Sequence, residues 1–392
     1  MRDVAIIGVG MHPWGKFRDK TFVDLGEVAT IEALKDAGIK WVDVQAVACG
    51  VYLWGGMGGM LAGHHLAARL GETGIPIVNV SNACATAGSA LRTAYMMIAA
   101  ELCDVALAVG LDMSPEGFFP AISEDPKDLA VLRWKAVGIP NPGYWALECR
   151  RRMETYGTTQ LHLAKAKVAA SKHGALNPHA RYRREFSVDE VMNSPMVCDP
   201  LRLYEICATS DGAAAVVVCS LDTARKYTAK PIIVAAASLA SSEYGDVTIR
   251  IPQLSSPVTP LAPLLSESAM AARMAYTQAG IGPEDVDLVE LPDNSSWHYL
   301  QYLETMGFCN PGEAERLLDE EATQIGGKLP ICPSGGAASF GEAVAAQGLA
   351  QVCELVWQLR HQAGSRQVEG AKVGMAQVYG AQGNNAAVIL KR

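Results

Sequence analysis

One short fragment of the chain occurs twice. Ala33, Ala37-Gly38-Ile39 and Asp43-Val44 return as Ala275, Ala279-Gly280-Ile281 and Asp285-Val286, with identical internal spacing and a constant offset of 242 residues. Each copy reads as a helix end, a glycine at the position just after it where positive φ is wanted, and the start of a strand. Six matched residues alone can coincide by chance. Both copies, however, fall at the same place in the same succession of elements, which predicts a duplicated α/β unit.

The succession itself comes from hydrophobic periodicity. Short β-branched runs, VAIIGVG (4–10), VQAVACGVYL (44–53), IPIVNVS (75–81) and VALAVGL (105–111), alternate with helical patterns near 25–37, 61–70 and 83–102. That is a β-α-β-α-β-α-β order, the mark of an α/β protein. A second copy starts near Lys230 with IIVAAASLA, a helix ending at Ala279 and the strand VDLVELPD (286–293). With 392 residues, 49% of them hydrophobic and 19% charged, the chain has material for two or three units that each bury a core.

Several function classes are disfavoured by composition. The net charge of −8 speaks against a dedicated nucleic-acid binder, which needs a basic face. The first apolar run, Val4 to Met11, is broken by Gly8 and Gly10 and followed by His12-Pro13, unlike a secretory leader. No run of 18 apolar residues is present, so no transmembrane helix is expected, and a cytoplasmic location is. The ten cysteines contain no C-x-x-C pair and read as reduced thiols, mostly in the core. His64 and His65 are adjacent and face different directions on a helix, so no metal site is expected.

Between the two copies, over 116–205, periodicity weakens while Pro, Tyr, Trp and basic residues accumulate, as in a loop excursion over a site. From Arg133 to Arg184 there are eleven Lys and Arg against two acids, Glu148 and Glu154, a local +9. Such a run is ordinarily a solvated face. The alternative is a surface for an anionic ligand, such as a nucleotide-bearing thioester, or for an acidic partner chain.

The segment most specific for chemistry is VNVSNACATAGSALRTAYMMIAA (78–100), where a strand passes through an Asx-rich turn into an alanine-rich helix with Cys84 at its first turn. Unpaired backbone N–H groups and the helix dipole at that end favour a thiolate, the nucleophilic form of cysteine. A cysteine elsewhere in an apolar run is ordinarily a small core residue; the position of Cys84 reverses that preference.

These residues resemble the thiolase superfamily in its sterol-carrier-protein (SCP2-thiolase) branch, whose nucleophile motif looks like Asn82-Ala83-Cys84-Ala85-Thr86. The resemblance continues through FSVDEVMNSPMVCDPL (186–201), CATSDGAAAVVV (207–218), KLPICPSGG (328–336) and the glycine-rich terminal AQVYGAQGNNAAVIL, and so spans nearly the whole chain. It implies the thiolase fold, an α/β architecture of two similar βαβαβαββ halves in a five-layered α-β-α-β-α core. In these terms 1–115 with 206–228 form the N-terminal half, 116–205 the excursion and 229–392 the C-terminal half.

The chain departs from the family pattern at three places. Where the family has a His-Asp or Asn-Glu pair, it reads Pro292-Asp293-Asn294-Ser295-Ser296. Asn294 or Ser295 offers donors and acceptors for water or substrate, or simply caps the next helix, and His298 is a minor candidate to supply the missing imidazole. Where the family has Gly-His-Pro, the chain has Gly341-Glu342-Ala343. A buried Glu342 can act as general base, whereas at a helix start it could equally be an inert carboxylate favoured by the dipole. Where ordinary thiolases have Cys-x-Gly, the chain has Tyr379-Gly380-Ala381. Tyr379 suits polarising a carbonyl or wedging the halves apart, and the backbone N–H groups at Cys84 and Ala381, beside Gly380, remain available for an oxyanion.

The resemblance implies a degradative thiolase: Cys84 attacks a 3-oxoacyl-CoA, an acyl-Cys84 forms, and coenzyme A, a co-substrate and not a permanently bound cofactor, removes the acyl group. The replaced histidines imply a bulky substrate, aryl-substituted or carboxylated, of which benzoylsuccinyl-CoA is one example. The alternatives are a retro-aldol lyase of side-chain β-hydroxyacyl-CoAs and a non-catalytic acyl-CoA-binding subunit. Related aldolases carry tyrosines where this chain has Pro292 and Val344, which favours the thiolase. A homodimeric core is implied, and, since the sequence ends at Arg392 without a carrier domain, so is a small zinc-ribbon/OB-fold (DUF35) partner.

Overall fold

The computed structural model describes residues 2–115, 140–228, 230–242, 266–380 and 383–392. Its strands in chain order are β1 Val4–Gly15, β2 Ala46–Gly50, β3 Ile77–Val80, β4 Val105–Met113, β5 Met196–Cys198, β6 Leu201–Arg202, β7 Asp211–Ser220, β8 Ile232–Ser241, β9 Leu288–Glu290, β10 Val373–Gly380 and β11 Asn384–Lys391. β5 and β6 pair only with each other, and the rest follow the order β3-β2-β4-β7-β1-β8-β11-β10-β9. The order is symmetric about the seam between β1 and β8, where Ala5 faces Ile233 and Ile6 faces Ile232. β7 lies antiparallel between β4 and β1, and β11 antiparallel between β10 and β8. β9 runs parallel to β10, as β2 does to β4, and Ile331 bridges Val289 where a counterpart of β3 would run.

The repeated fragment is where this symmetry is written in residues. Helix Phe22–Ala37 ends on Gly38 at φ 68°, passes a 3₁₀ turn at Trp41–Asp43 and leads to β2. Helix Glu267–Ala279 ends on Gly280 at φ 65°, passes a 3₁₀ turn at Pro283–Asp285 and leads to β9. In both, the glycine takes the left-handed conformation that stops a helix without a Cβ penalty.

Five layers follow from which faces are apolar. In β1, Val4 and Ile6 point to one cluster and Ala5 and Ile7 to another, so both faces are buried and the strand reads as a continuous apolar run. Helices Phe22–Ala37 and Ala62–Leu70 cover the outer face of the first half. Helices Glu267–Ala279 and Ser296–Thr305 cover the outer face of the second. Helices Thr86–Ala99 and Gln347–Leu359 fill the middle, where Leu91, Ile98, Leu349 and Leu355 are fully buried, each burial contributing about 2 kcal/mol.

The stretch between the halves differs from the expected loop. Residues 116–139, with Arg133 and Lys135 of the basic run, lie outside the described residues. Beyond them come two helices, Asn141–Tyr156 and Gln160–Ala175, the latter N-capped by Thr159. Periodicity is weak because the second helix is buried on several faces at once, through Leu163, Ala164, Lys167, Ala170 and His173. Four of the basic residues of the local +9 are met by acids outside the run. Arg152 is buried between Glu304 and Glu315, Lys165 meets Asp319, and Arg150 and Arg184 meet Asp199 and Glu190.

Candidate active site

β3 ends at Val80 and the next helix begins at Thr86, three residues later than the sequence pattern suggests. The delay is a tight turn. Ala85 N–H donates to Asn82 O (3.0 Å), Thr86 N–H to Ala83 O (3.1 Å), Asn82 N–H to Thr86 Oγ1 (2.8 Å) and Asn82 Nδ2 to Ser89 Oγ (2.9 Å). Within it Ala83 sits at φ 46°, a left-handed conformation that costs a non-glycine residue about 1 kcal/mol or more. The turn holds Cys84 half-buried just ahead of a 14-residue helix, packed against the cluster of Ala85 with Val378 and Ala386 of the second half.

Opposite stands Glu342. The Cys84 Sγ lies 3.9 Å from its Oε1. The same oxygen accepts a hydrogen bond from Asn294 Nδ2 at 2.7 Å, and Oε2 accepts one from Cys207 Sγ at 2.9 Å. The backbone of Glu342 is tied to the strand-like segment after Cys207: its N–H donates to Ala208 O (2.9 Å) and its carbonyl accepts from Ser210 N–H (2.7 Å). Gly341 precedes it at φ 111°, where a Cβ would stand 2.3 Å from Ser210 Oγ, so glycine is required on both counts. Burial raises the proton affinity of the Glu342 carboxyl, and the bonds from Cys207, Asn294 and Cys84 hold part of that rise back.

The other candidates occupy a second ring. Asp293 is buried and accepts Ala337 N–H (2.6 Å) and Ala338 N–H (3.4 Å), bracing the short helix Gly336–Ser339; burial pushes it up to about 7. Ser295 is the N-cap of helix Ser296–Thr305, its Oγ accepting from His298 N–H at 3.4 Å and lying 2.8 Å from His298 Nδ1. His298 is enclosed by Trp145, Trp297, Tyr302 and Tyr379, and burial drops it to about 3, so the ring is neutral near pH 7. It makes no hydrogen bond to Cys84 or Glu342 among the described residues. Tyr379 lies between His298 and the Cys84 side, its phenol held above its ordinary value by burial and by the nearby Glu267 and Cys84. Gly380 backs onto the nucleophile turn so closely that a Cβ there would stand 3.1 Å from Ala85 N. Ala381 lies outside the described residues.

Cys207 is the member of this cluster that sequence reading misses, having been counted among the core thiols. The available signal was its place at the head of CATSDGAAAVVV, a motif that carries the family resemblance. The excursion also contributes. Lys167 donates to Ala338 O, Asn177 Nδ2 to Ser334 O (2.9 Å), and Arg181 and Tyr182 N–H groups to Phe340 O and Ser339 O, so the loop bearing Glu342 is clamped from this side. Beside Tyr379 a cavity of about 200 Å³ is lined by Tyr144, Trp297, His298 and Tyr302, together with Arg151, which pairs with Glu148 at 3.5 Å. Among the described residues no cluster of three or more His, Cys, Asp or Glu side chains could hold a metal ion, and no helix is long and apolar enough to cross a membrane.

Comparison with known proteins gives the same direction. The model of the thiolase N-terminal domain matches residues 4–119, and that of the thiolase C-terminal domain-like family matches 259–392. The acetyl-CoA acetyltransferase of Methanothermobacter thermautotrophicus is 36% identical, the match covering 99% of each chain. Bovine sterol carrier protein 2 is 34% identical over 95% of this chain and 69% of its own length. The benzoylsuccinyl-CoA thiolase subunit BbsB of Thauera aromatica is 34% identical over 97% of this chain and 95% of its own. Among solved structures the Ltp2-ChsH2(DUF35) aldolase superposes with a TM-score of 0.83 at 24% identity, covering 99% of this chain and 97% of that one, which shows the shared fold. The chain belongs to the thiolase family, in its SCP2-thiolase branch, and is an acyl-CoA C-acyltransferase.

Proposed function

We propose that the protein cleaves a 3-oxoacyl-CoA with coenzyme A through an acyl-Cys84 intermediate, with Glu342 as the base in place of the family histidine. One juxtaposition carries this reading: a half-buried sulfur ahead of a helix, 3.9 Å from an oxygen of a buried carboxyl whose basicity burial has raised. Glu342 takes the thiol proton and the Cys84 thiolate adds to the C3 ketone. Main-chain N–H groups at Cys84 and Gly380 hold the oxyanion, with the Tyr379 hydroxyl as a donor beside them. Collapse breaks the C2–C3 bond; the acyl group stays on sulfur, and the enolate of the departing thioester recovers the proton from Glu342. Glu342 then deprotonates coenzyme A, whose thiolate displaces Cys84 and releases the new thioester.

The aromatic cavity beside Tyr379 supports a bulky, aryl-bearing acyl group, and Arg151 in its lining a carboxylated one. A relative named as a subunit and a neighbour solved with a DUF35 chain support a small zinc-ribbon/OB-fold partner. β3, at the free edge of the sheet with Val78 exposed, supports a homodimer formed along that edge. The catalytic halves are then 1–115 with 206–228 and 229–392, and the stretch between them, from its described residue 140 onward, braces the loop that bears Glu342. Buried thiols such as Cys49, Cys219 and Cys353 suit the reducing cytoplasm.

The test is mass spectrometry of the protein mixed with aryl and alkyl 3-oxoacyl-CoAs and, separately, with the matching 3-hydroxyacyl-CoAs. An acyl adduct on the Cys84 peptide, discharged by added coenzyme A with one coenzyme A consumed per product, is expected. Product formed without adduct or coenzyme A consumption would overturn the reading in favour of a lyase. Neither adduct nor product from either substrate class would leave only a binding subunit.

A further inference from the structure

We propose that Cys207 is a positioning residue of this site, its thiol holding Oε2 of Glu342 so that Oε1 is presented to Cys84 as a charged acceptor. This rests on the reading of Glu342 as base. The two carboxylate oxygens have separate partners: Oε1 takes Asn294 Nδ2 at 2.7 Å and faces Cys84 at 3.9 Å, while Oε2 takes Cys207 at 2.9 Å. A buried carboxylate oxygen left without a donor carries a desolvation penalty, which protonation of the carboxyl relieves, and a protonated Glu342 cannot accept the Cys84 proton.

The thiol is held in place by main chain. Cys207 N–H donates to Asn294 O (2.9 Å), Glu342 N–H to Ala208 O (2.9 Å) and Ser210 N–H to Glu342 O (2.7 Å). Three chain segments, 207–210, 294 and 341–342, are thereby knitted into one unit around the carboxyl group. The terminal torsion of a glutamate is soft, so donors on both oxygens are what fix its plane. Burial and the adjacent Glu342 carboxylate hold the Cys207 thiol protonated, which makes it a donor and not a rival nucleophile.

Other charged groups face the cluster. Asp293 and Lys167 lie on the side of Gly336–Ser339 and titrate at about 7 and about 8. Arg181 donates to Thr209 O, and Asp112 accepts Ala345 N–H at 3.2 Å. Any pH profile near neutrality therefore contains several titrations, and removal of Glu342 itself must identify which limb belongs to it.

The experiment is the pH dependence of iodoacetamide alkylation at Cys84, followed by peptide mapping, in the wild type, C207A, C207S and E342Q, with thermal melts as a control of folding. E342Q is expected to lose the limb that tracks Glu342 and keep only the rise set by ionisation of the Cys84 thiol itself. C207A is expected to move that limb up by about one pH unit, slowing alkylation below it about tenfold, because a donor to the charged carboxylate is gone. C207S, whose hydroxyl is a stronger donor, is expected to keep the limb at or below its wild-type position, which tests the idea even if C207A folds poorly. A C207A limb that stays in place while E342Q loses its own would overturn the role of Cys207 and leave the base intact. An upward move in C207S would overturn it as well. A pH profile in E342Q identical to the wild type would overturn the base, and with it this proposal.

Discussion

Helices Thr86–Ala99 and Gln347–Leu359 pack together at the centre, in equivalent places of the two halves, yet the turns leading into them present opposite chemistry. The first is short and carries a half-buried sulfur one residue after a strained alanine. The second is longer, passes through Gly341, and carries a fully buried carboxyl. A nucleophile must meet its substrate, so its turn keeps it at a surface. A carboxylic acid gains basicity by losing water, so its turn draws it inside. One architectural element, used twice, supplies both settings by the depth at which it holds its side chain.

The largest effect expected is at the exposed turn. Cys84→Ala should lower thiolysis by about 10⁴-fold or more and abolish the acyl adduct, measured by steady-state assay and mass spectrometry, with the melting temperature unchanged. A merely modest loss would break the contrast outright. At the buried turn, Glu342→Gln should lower kcat by about 10²- to 10⁴-fold, the range of general-base removal. Stability should move the other way. Because folding raises the proton affinity of Glu342, ionisation costs stability once the pH exceeds its unfolded value. The glutamine variant should therefore match the wild type at acid pH and be more stable above the raised folded value, as urea melts at pH 4 and pH 8 would read.

A reciprocal pair of backbone changes sharpens the comparison. Gly341→Ala forces a Cβ against Ser210 at φ 111° and should destabilise by about 1–3 kcal/mol. Ala83→Gly relieves φ 46° and should stabilise by about 0.5–1 kcal/mol. The smallest effect belongs to His298. Its ring is neutral above about pH 3, so His298→Asn should leave the position of every activity limb between pH 5 and 8 unchanged. The same burial should cost the wild type about 1.4 kcal/mol per pH unit as the pH falls below 6.5, an acid sensitivity the variant lacks in denaturation curves.

Much of the fold was legible because it is local. The Ala37-Gly38-Ile39 and Ala279-Gly280-Ile281 copies are helix ends that a glycine decides by itself, and β1 is an apolar run because both its faces are covered. Cys84 was legible for the same reason, since its position depends on the strand before it and the helix after it. The rest depends on distance along the chain. Cys207 meets a carboxyl 135 residues away, and Arg152 meets Glu315 across 163. No periodicity records such pairings. Even the helix start falls later than its alanine-rich pattern suggests, because Asn82 and Thr86 bond to each other in a turn that such a sequence does not betray.

Gly380 backs directly onto Ala85, and that contact crosses from one copy of the repeat to the other. Sulfur and carboxyl are likewise drawn from different copies. Neither copy, cut free, would own a working centre, so an ancestor with a single copy could have held such chemistry only as a pair of molecules clasped face to face.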